Sequence, residues 1–320
     1  MVTLRHLRYF EALSRHRHFS RAAEECSVTQ PALSVQIQEL ETSLRVPLIE
    51  RRRGQIELTA IGIEIARRAS KILLAVRDLK DYALAAEGVV GGPFSLGVIP
   101  TIAPYLLAEV LPALRENFPE LDMTIFEAQT GRLLEDVLAG KLDAVLISLP
   151  VEKQGLEVMP LFDDAFVLAV GRESPFASQT IVDHESLAEA NLLLLDEGHC
   201  LRDQALSYCH IAPAGIRQKF GAAGLGTIIQ LVANGYGVTF LPEMAVPVKM
   251  SNDERIVFRR FAGQQPRRTI GLVWRETSPR REEFRVLGEV IAETGEQIID
   301  RCRQMLPLPV EKAVIQREMV

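Results

Sequence analysis

The chain contains no apolar run approaching the roughly 18 residues that a membrane-crossing helix needs, so no membrane partner is expected. Its start, Met1-Val2-Thr3-Leu4-Arg5-His6, lacks the apolar core of a secretory leader. The expected location is therefore cytoplasmic. Cysteine is scarce, with four in 320 residues, and in that compartment the thiols should be reduced at rest. Cys26 and Cys302 have no partner nearby in sequence and are expected to be buried structural thiols. There is no excess of positive charge either. A net charge of −6 excludes a polyanion binder along the whole length. Residues 1–92 nevertheless carry 14 Lys and Arg against 11 Asp and Glu, or +3, which leaves −9 for the rest. A basic head on an acidic body permits nucleic-acid contact through the head alone.

What is present is an ordinary globular composition, 48% hydrophobic and 24% charged, long enough for two or three domains. Leu4 to Arg15 carries an apolar helical face through Leu4, Leu7, Phe10, Ala12 and Leu13. Ser20 is the expected N-cap of a short helix containing Ala22 and Ala23. After the turn Ser27-Val28-Thr29-Gln30, Pro31 suits the first turn of a longer helix, Ala32 to Ser43. These pieces add up to a helix-turn-helix whose second helix enters the major groove of double-stranded DNA. Leu33, Ile37, Leu40 and Leu44 form its inner row. Gln30, Pro31, Ala32, Ser34, Val35, Gln36 and Gln38 lie at its start or on the opposite face, where Gln can read adenine and Ala or Val a thymine methyl. An ordinary solvated face would look the same. Leu48 to Thr59 then reads as two short strands around an Arg-rich tip, a wing with Arg51, Arg52 and Arg53 placed for phosphate or minor-groove contact.

This block resembles the DNA-binding head of LysR-type transcriptional regulators. The resemblance rests on Phe19-Ser20-Arg21-Ala22-Ala23, Val28-Thr29-Gln30-Pro31-Ala32-Leu33-Ser34, Leu40-Glu41, Glu50-Arg51 and Leu58-Thr59. It implies a winged helix-turn-helix at residues 1–59. Residues 60–92 follow as a linker helix and hinge. Within the helix, Ile65, Ala69, Ile72, Val76, Leu79, Ala83 and Ala86 repeat at steps of four and three, a dimer-forming seam. Packing within one chain is the alternative reading of that row.

The body alternates strands and helices, so the fold class expected is α/β behind an all-α head. Expected strands include Phe94–Ile99, Met123–Glu127, Ala144–Leu149, Phe166–Val170, Leu192–Leu195, Val238–Leu241 and Arg268–Arg275. Leu156–Asp163 and Ile256–Phe261 are expected to cross between two lobes that enclose a cleft. The body resembles the periplasmic-binding-protein-like effector domain of LysR-type regulators. Lobe I would be residues 93–162 plus 266–305, lobe II residues 163–265, and 306–320 a poorly ordered tail.

The stretch Gly198-His199-Cys200-Leu201-Arg202-Asp203-Gln204-Ala205, with Cys209 beyond it, carries the chemistry. Leu201 to His210 reads helical, which puts Cys200 at a helix start, where partial positive charge favours a thiolate. His199 and Arg202 are the nearest donors or cations. Over nine helical steps Cys200 and Cys209 would stand about 13.5 Å apart, whereas a disulfide requires roughly 7 Å or less. Joining them must unwind the segment. Thr101 and Thr130, at the ends of two strands, can offer hydroxyls to a small peroxide near Cys200; each could instead be a helix N-cap.

Together with Gly97-Val98-Ile99-Pro100-Thr101, Glu127-Ala128-Gln129-Thr130 and Pro266-Arg267-Arg268-Thr269, these residues resemble the peroxide-sensing members of the LysR family. The resemblance implies that Cys200 is peroxidatic and Cys209 resolving, and that Thr101, Thr130, His199 and Arg268 line the peroxide pocket. Hydrogen peroxide, operator DNA, RNA polymerase and further copies of the chain, as dimer or homotetramer, are the implied partners. Gly224-Leu225-Gly226-Thr227 departs from such sequences, which tend to carry a hydroxyl and acidic residues there. A LysR-type regulator that binds a small carboxylate through Thr101 and Thr130 is the nearest rival. A thiol peroxidase would share the cysteine but not need the head. His199, Cys200, Cys209 and His210 are not spaced like a four-ligand zinc motif, so neither metal nor cofactor is expected.

Overall fold

The computed structural model describes residues 1–52, 55–85, 90–209, 222, 224–247 and 253–308. They form two compact units, Met1–Val89 and Val90–Val320.

In the first unit, α1 (Leu4–His16) opens on a capping box. Thr3 accepts from the His6 amide, the His6 ring accepts from the Thr3 amide, and Arg17 closes the helix in the left-handed region. Helix α2 (Phe19–Glu25) starts one residue before Ser20, with His18 at the N-cap and no side-chain bond there. Ser20 is thus not the cap. Its hydroxyl donates to Gln30 Oε1 at 3.0 Å and ties α2 to α3 (Gln30–Leu44). Thr29 caps α3, and Pro31 occupies its first turn, where a missing N–H costs nothing. Leu33, Ile37 and Leu40 are buried on Phe10, Leu13, Ala22 and Ala23. Each such side chain contributes about 2 kcal/mol by leaving water. Strands β1 (Ile49–Arg52) and β2 (Gln55–Leu58) pair antiparallel as the expected wing, Arg51 and Arg52 in β1; Arg53, at its tip, lies outside the described residues. Helix α4 (Ala60–Ala85) buries Ala66 and Ala69 on the head but exposes Ile72, Leu79 and Tyr82 further along, so the apolar row outruns its own chain's core. Ala86 lies outside the described residues.

The second unit runs β3 (Gly92–Val98), α5 (Ala103–Asn117), β4 (Leu121–Glu127), α6 (Thr130–Leu138) and β5 (Ala144–Leu149). It continues with β6 (Leu156–Gly171), β7 (Ile181–Val182), α7 (Cys200–Tyr208), α8 (Leu225–Ala233), β8 (Thr239–Pro242), β9 (Ile256–Phe261), β10 (Arg267–Arg275) and α9 (Arg281–Met305). The strand order is β4-β3-β5-β10-β6-β9-β7, with β8 also on β6. β4, β3 and β5 are parallel; β10 runs antiparallel to both β5 and β6.

Three expectations about strands need correction. Leu156–Asp163 and Phe166–Val170 are not separate: β6 is continuous, pairing with β10 up to Ala165 and with β8 and β9 beyond it. β6 is therefore one crossing between lobes. The other is the segment 262–266, not Ile256–Phe261, because β9 lies wholly beside the far half of β6. Phe166 N–H donates to the Pro266 carbonyl at 2.8 Å where the two crossings meet. Leu192–Leu195 makes only a single bridge, Leu192 to Val238. It is apolar because it is buried, and Leu193 exchanges bonds with Val238 and Thr239 without building a ladder.

Candidate functional site

The two lobes approach each other where the ends of β5, the turn before α5 and the start of α6 face the loop 196–199. Gly198 bends that loop at φ +90°, a conformation that favours glycine. A Cβ there would also fall 2.5 Å from Gln129 Oε1. Gln129 Nε2 donates to the Glu197 carbonyl at 3.2 Å, and Gln204 Nε2 donates to Ser148 Oγ at 2.8 Å. Two amide side chains thus join the lobes around Cys200. Sequence reasoning did not assign Gln129, Gln204 or Ser148 to the site. Their signal was positional, because each lies at the end of a strand or on the first turns of α7.

Cys200 is the first residue of α7 and His199 its N-cap, one residue earlier than expected. Cys200 is half-buried. His199 is buried, and burial pushes its imidazole below the ordinary histidine value against the pull of Asp196, so it is neutral at pH 7. Arg202 is buried and donates to the Leu195 carbonyl at 3.0 Å, which fastens the helix to the strand-like segment before it. Leu201, Ala205 and Leu206 are the buried face of α7, as expected.

The far end of α7 sits in a different medium. Cys209 caps the helix, and burial pushes its thiol up to about 11. Tyr208 stands edge-on to Phe240 at 5.8 Å and to Phe261 at 5.2 Å, and these two rings stack at 4.9 Å. Both thiols are free and lie at opposite ends of one helix. His210, expected in the same helix, lies outside the described residues. Cys26 and Cys302 are buried, and burial pushes Cys302 up to about 12.

Thr101 is buried in the turn before α5, and Thr130 is the first residue of α6; neither is the N-cap of its helix. Arg268, from β10, donates through Nη1 to Thr101 Oγ1 at 2.8 Å and through Nη2 to the Thr101 carbonyl at 3.1 Å. Its Nε and Nη2 lie 3.0 and 2.9 Å from Asp164 Oδ2. Asp164 Oδ1 accepts from the Met244 amide at 3.1 Å. Burial pushes the Asp164 carboxyl up, and the Arg268 charge opposes it. Of the expected pocket residues, Thr101 and Arg268 bond directly. Thr130 follows Gln129, whose amide reaches the Glu197 carbonyl, two residues before His199 and three before Cys200. Among the described residues no hydrogen bond links Thr130 to Cys200.

On α3, Gln30, Pro31, Ala32, Val35 and Gln38 are exposed, and Ser34 and Gln36 are half-buried. Gln36 Nε2 donates to Glu39 at 2.8 Å. At the entry to α8 the glycine-rich Gly224 caps the helix without a side-chain bond.

Residues 4–63 match the family model "Bacterial regulatory helix-turn-helix protein, lysR family", and residues 87–296 match "LysR substrate binding domain". The chain belongs to the LysR family. It is a DNA-binding transcriptional regulator of that family, not an enzyme. Among LysR-family relatives it is 41% identical over 290 residues to the "DNA-binding transcriptional dual regulator OxyR" of Escherichia coli K12, covering 91% of this chain and 95% of that protein. It is equally similar, 41% over 292 residues, to a "Probable hydrogen peroxide-inducible genes activator" of Streptomyces viridosporus, covering 91% and 94%. Its fold matches full-length OxyR of Pseudomonas aeruginosa, a cysteine variant, with a TM-score of 0.75 at 35% identity over 91% of this chain and 95% of that one. Hydrogen-peroxide-bound OxyR of Corynebacterium glutamicum, also a cysteine variant, matches with 0.68 at 33% identity over 98% of each chain. No described helix is long and apolar enough to cross a membrane.

Proposed function

We propose that this LysR-family regulator senses hydrogen peroxide by oxidation of Cys200 and reports it to DNA. The arrangement of α7 carries the reading: two half-buried thiols, one at the seam between lobes and the other at an apolar end, separated by a whole helix. Peroxide enters beside Cys200, held by hydroxyls of Thr101 and Thr130 and by neutral His199, with Arg268 ordering Thr101. The thiolate sulfur attacks one peroxide oxygen. An S–O bond forms, the O–O bond breaks, sulfur loses two electrons, and the departing hydroxide takes a proton to leave as water. The sulfenic acid then condenses with the Cys209 thiol, expelling a second water and forming the Cys200–Cys209 disulfide.

That last step is the switch. About 13.5 Å of helix separates the Cα atoms, so α7 must unwind before the sulfurs meet. The reduced and oxidised lobes then pack differently and re-space the paired heads. The heads bind double-stranded DNA through Gln30, Pro31, Ala32, Ser34, Val35, Gln36 and Gln38 of α3, and through Arg51, Arg52 and Arg53 of the wing. The exposed row on α4 pairs with a second copy, and dimers associate as homotetramers. The regulator works in the cytoplasm, where thiols are reset by reduction, and acts on RNA polymerase at the promoter. The domain roles follow: residues 1–59 bind DNA, 60–92 dimerise, and 93–162 with 266–305 and 163–265 form the sensing lobes; most of 306–320 lies outside the described residues.

Titrating reduced protein with hydrogen peroxide and mapping disulfides by mass spectrometry tests this reading. The expected product is a Cys200–Cys209 bridge at near-stoichiometric peroxide. A reduced Cys200 under those conditions would defeat it.

A further inference from the structure

Arg268 is held on two sides within the site described above. Its guanidinium is buried, lies 5.8 Å over the Phe166 ring, and is spent on two partners, Thr101 and Asp164. An arginine can only donate hydrogen bonds. Thr101 Oγ1 is therefore the acceptor in that bond, and the hydroxyl proton must point away from Arg268 toward some other acceptor. The orientation of this one proton is thus set from behind. What holds the guanidinium is Asp164, which is completely buried at the register position opposite Arg268 on β6, just before β6 crosses between lobes. Its second oxygen is tied to the Met244 backbone, so Asp164 is itself anchored to the main chain of the far lobe.

We propose that Asp164 is a positioning residue for the peroxide reaction: it locks Arg268, whose guanidinium occupies the acceptor side of Thr101 and leaves the Thr101 proton for the oxidant. This rests on the peroxide-sensing reading above and deepens it. In the attack step the Thr101 hydroxyl donates to the peroxide oxygen that departs as hydroxide, stabilising the charge that appears as the O–O bond breaks. Without Asp164, Arg268 loses the carboxylate oxygen that takes both its Nε and Nη2, and the hydroxyl can turn around and accept from other donors. Asp164 touches neither sulfur nor oxidant and acts only through Arg268 and Thr101. The prediction is therefore selective. Reaction of Cys200 with a peroxide should suffer, whereas reaction with an alkylating agent, which needs no hydroxyl donor, should not.

The test uses the full-length reduced chain in a Cys209→Ser background, where oxidation stops at sulfenic acid. Rates of Cys200 with hydrogen peroxide and with iodoacetamide are measured for this parent, Asp164→Asn, Thr101→Val and the double variant. Asp164→Asn should lower the peroxide rate about 100-fold, the loss typical of an ångström-scale misplacement, and leave the iodoacetamide rate within about twofold. The double variant should be no slower than Thr101→Val alone, because the two act through one proton. Equal losses toward both reagents, or additive losses in the double variant, would overturn the proposal. If Asp164→Asn does not fold, Asp164→Glu keeps the charge one methylene out of place; a folded Asp164→Glu with the parent's peroxide rate overturns it equally. A parent that reacts no faster with peroxide than with iodoacetamide sinks peroxide sensing itself. A fast parent with an equally fast Asp164→Asn sinks only the role of Asp164.

Discussion

The two ends of α7 differ in almost everything except the residue they carry. At the first turn, Cys200 follows a glycine bend, sits beside a neutral imidazole and is framed by polar side chains reaching from the other lobe. At the last turn, Cys209 is also half-buried but follows Tyr208, whose ring meets Phe240 and Phe261, and burial pushes its thiol up to about 11. The two thiols are equally half-buried, and what differs is the polarity of their surroundings. On the proposed mechanism, the contrast places the delay between sensing and switching in the structure: the second thiol would react only after its surroundings come apart.

The largest test of that contrast exchanges each sulfur for oxygen. Cys200→Ser should abolish both sulfenic acid and any oxidant-dependent footprint. Cys209→Ser should still give sulfenic acid, trapped by dimedone and seen by mass spectrometry, but no intramolecular bridge. A footprint that still responds to peroxide in Cys200→Ser breaks the comparison outright.

A pH titration probes the buried end. Because the folded thiol of Cys209 titrates at about 11 and an unfolded one at roughly 8.5, the fold prefers the protonated form. That preference contributes stability below pH ~8.5 and is lost as pH rises toward about 11. In reduced Cys200→Ser, alkylation of Cys209 at pH 8.5 should be about 100-fold slower than in unfolded protein and should catch up only near the upper value. Equal rates at pH 8.5 would show the thiol to be open from the start.

Tyr208→Ala removes two ring contacts and should loosen the same end by about 2 kcal/mol. That is roughly 30-fold in the opening equilibrium, read as faster Cys209 alkylation and faster disulfide closure after oxidation. An unchanged closure rate would mean the rings do not hold the thiol back. The smallest effect belongs to the other end. Gly198→Ala places a methyl against Gln129 Oε1 at a positive φ, costing about 1–2 kcal/mol. Hydrogen exchange at the 198–202 amides should rise several-fold while Cys209 protection stays put. A matching loss at Cys209 would show that the two ends are not independent.

Much of this molecule was legible in the residues because the information was local. The helix-turn-helix follows from the row Leu33, Ile37, Leu40 and from Pro31 at a helix start, and the wing from two short strands flanking arginines. Helical spacing alone separated the two thiols. Local signals misled where burial imitates β structure: Leu192–Leu195 looks like a strand because it is apolar, yet it makes one bridge. They also missed that β6 is unbroken, since its pairing partner changes midway while its own sequence reads as two strands.

The sequence by itself determined most element types and the spacing of the cysteine pair, because periodicity and capping depend on neighbours within a few residues. Only the tertiary structure decided which atoms meet. Arg268 reaches Thr101 across 167 positions and Asp164 across 104, and Gln129 reaches Glu197 across 68. Hydrogen bonds of that span are set by the order of strands in the sheet, and so is the burial that keeps His199 neutral and Cys209 protonated.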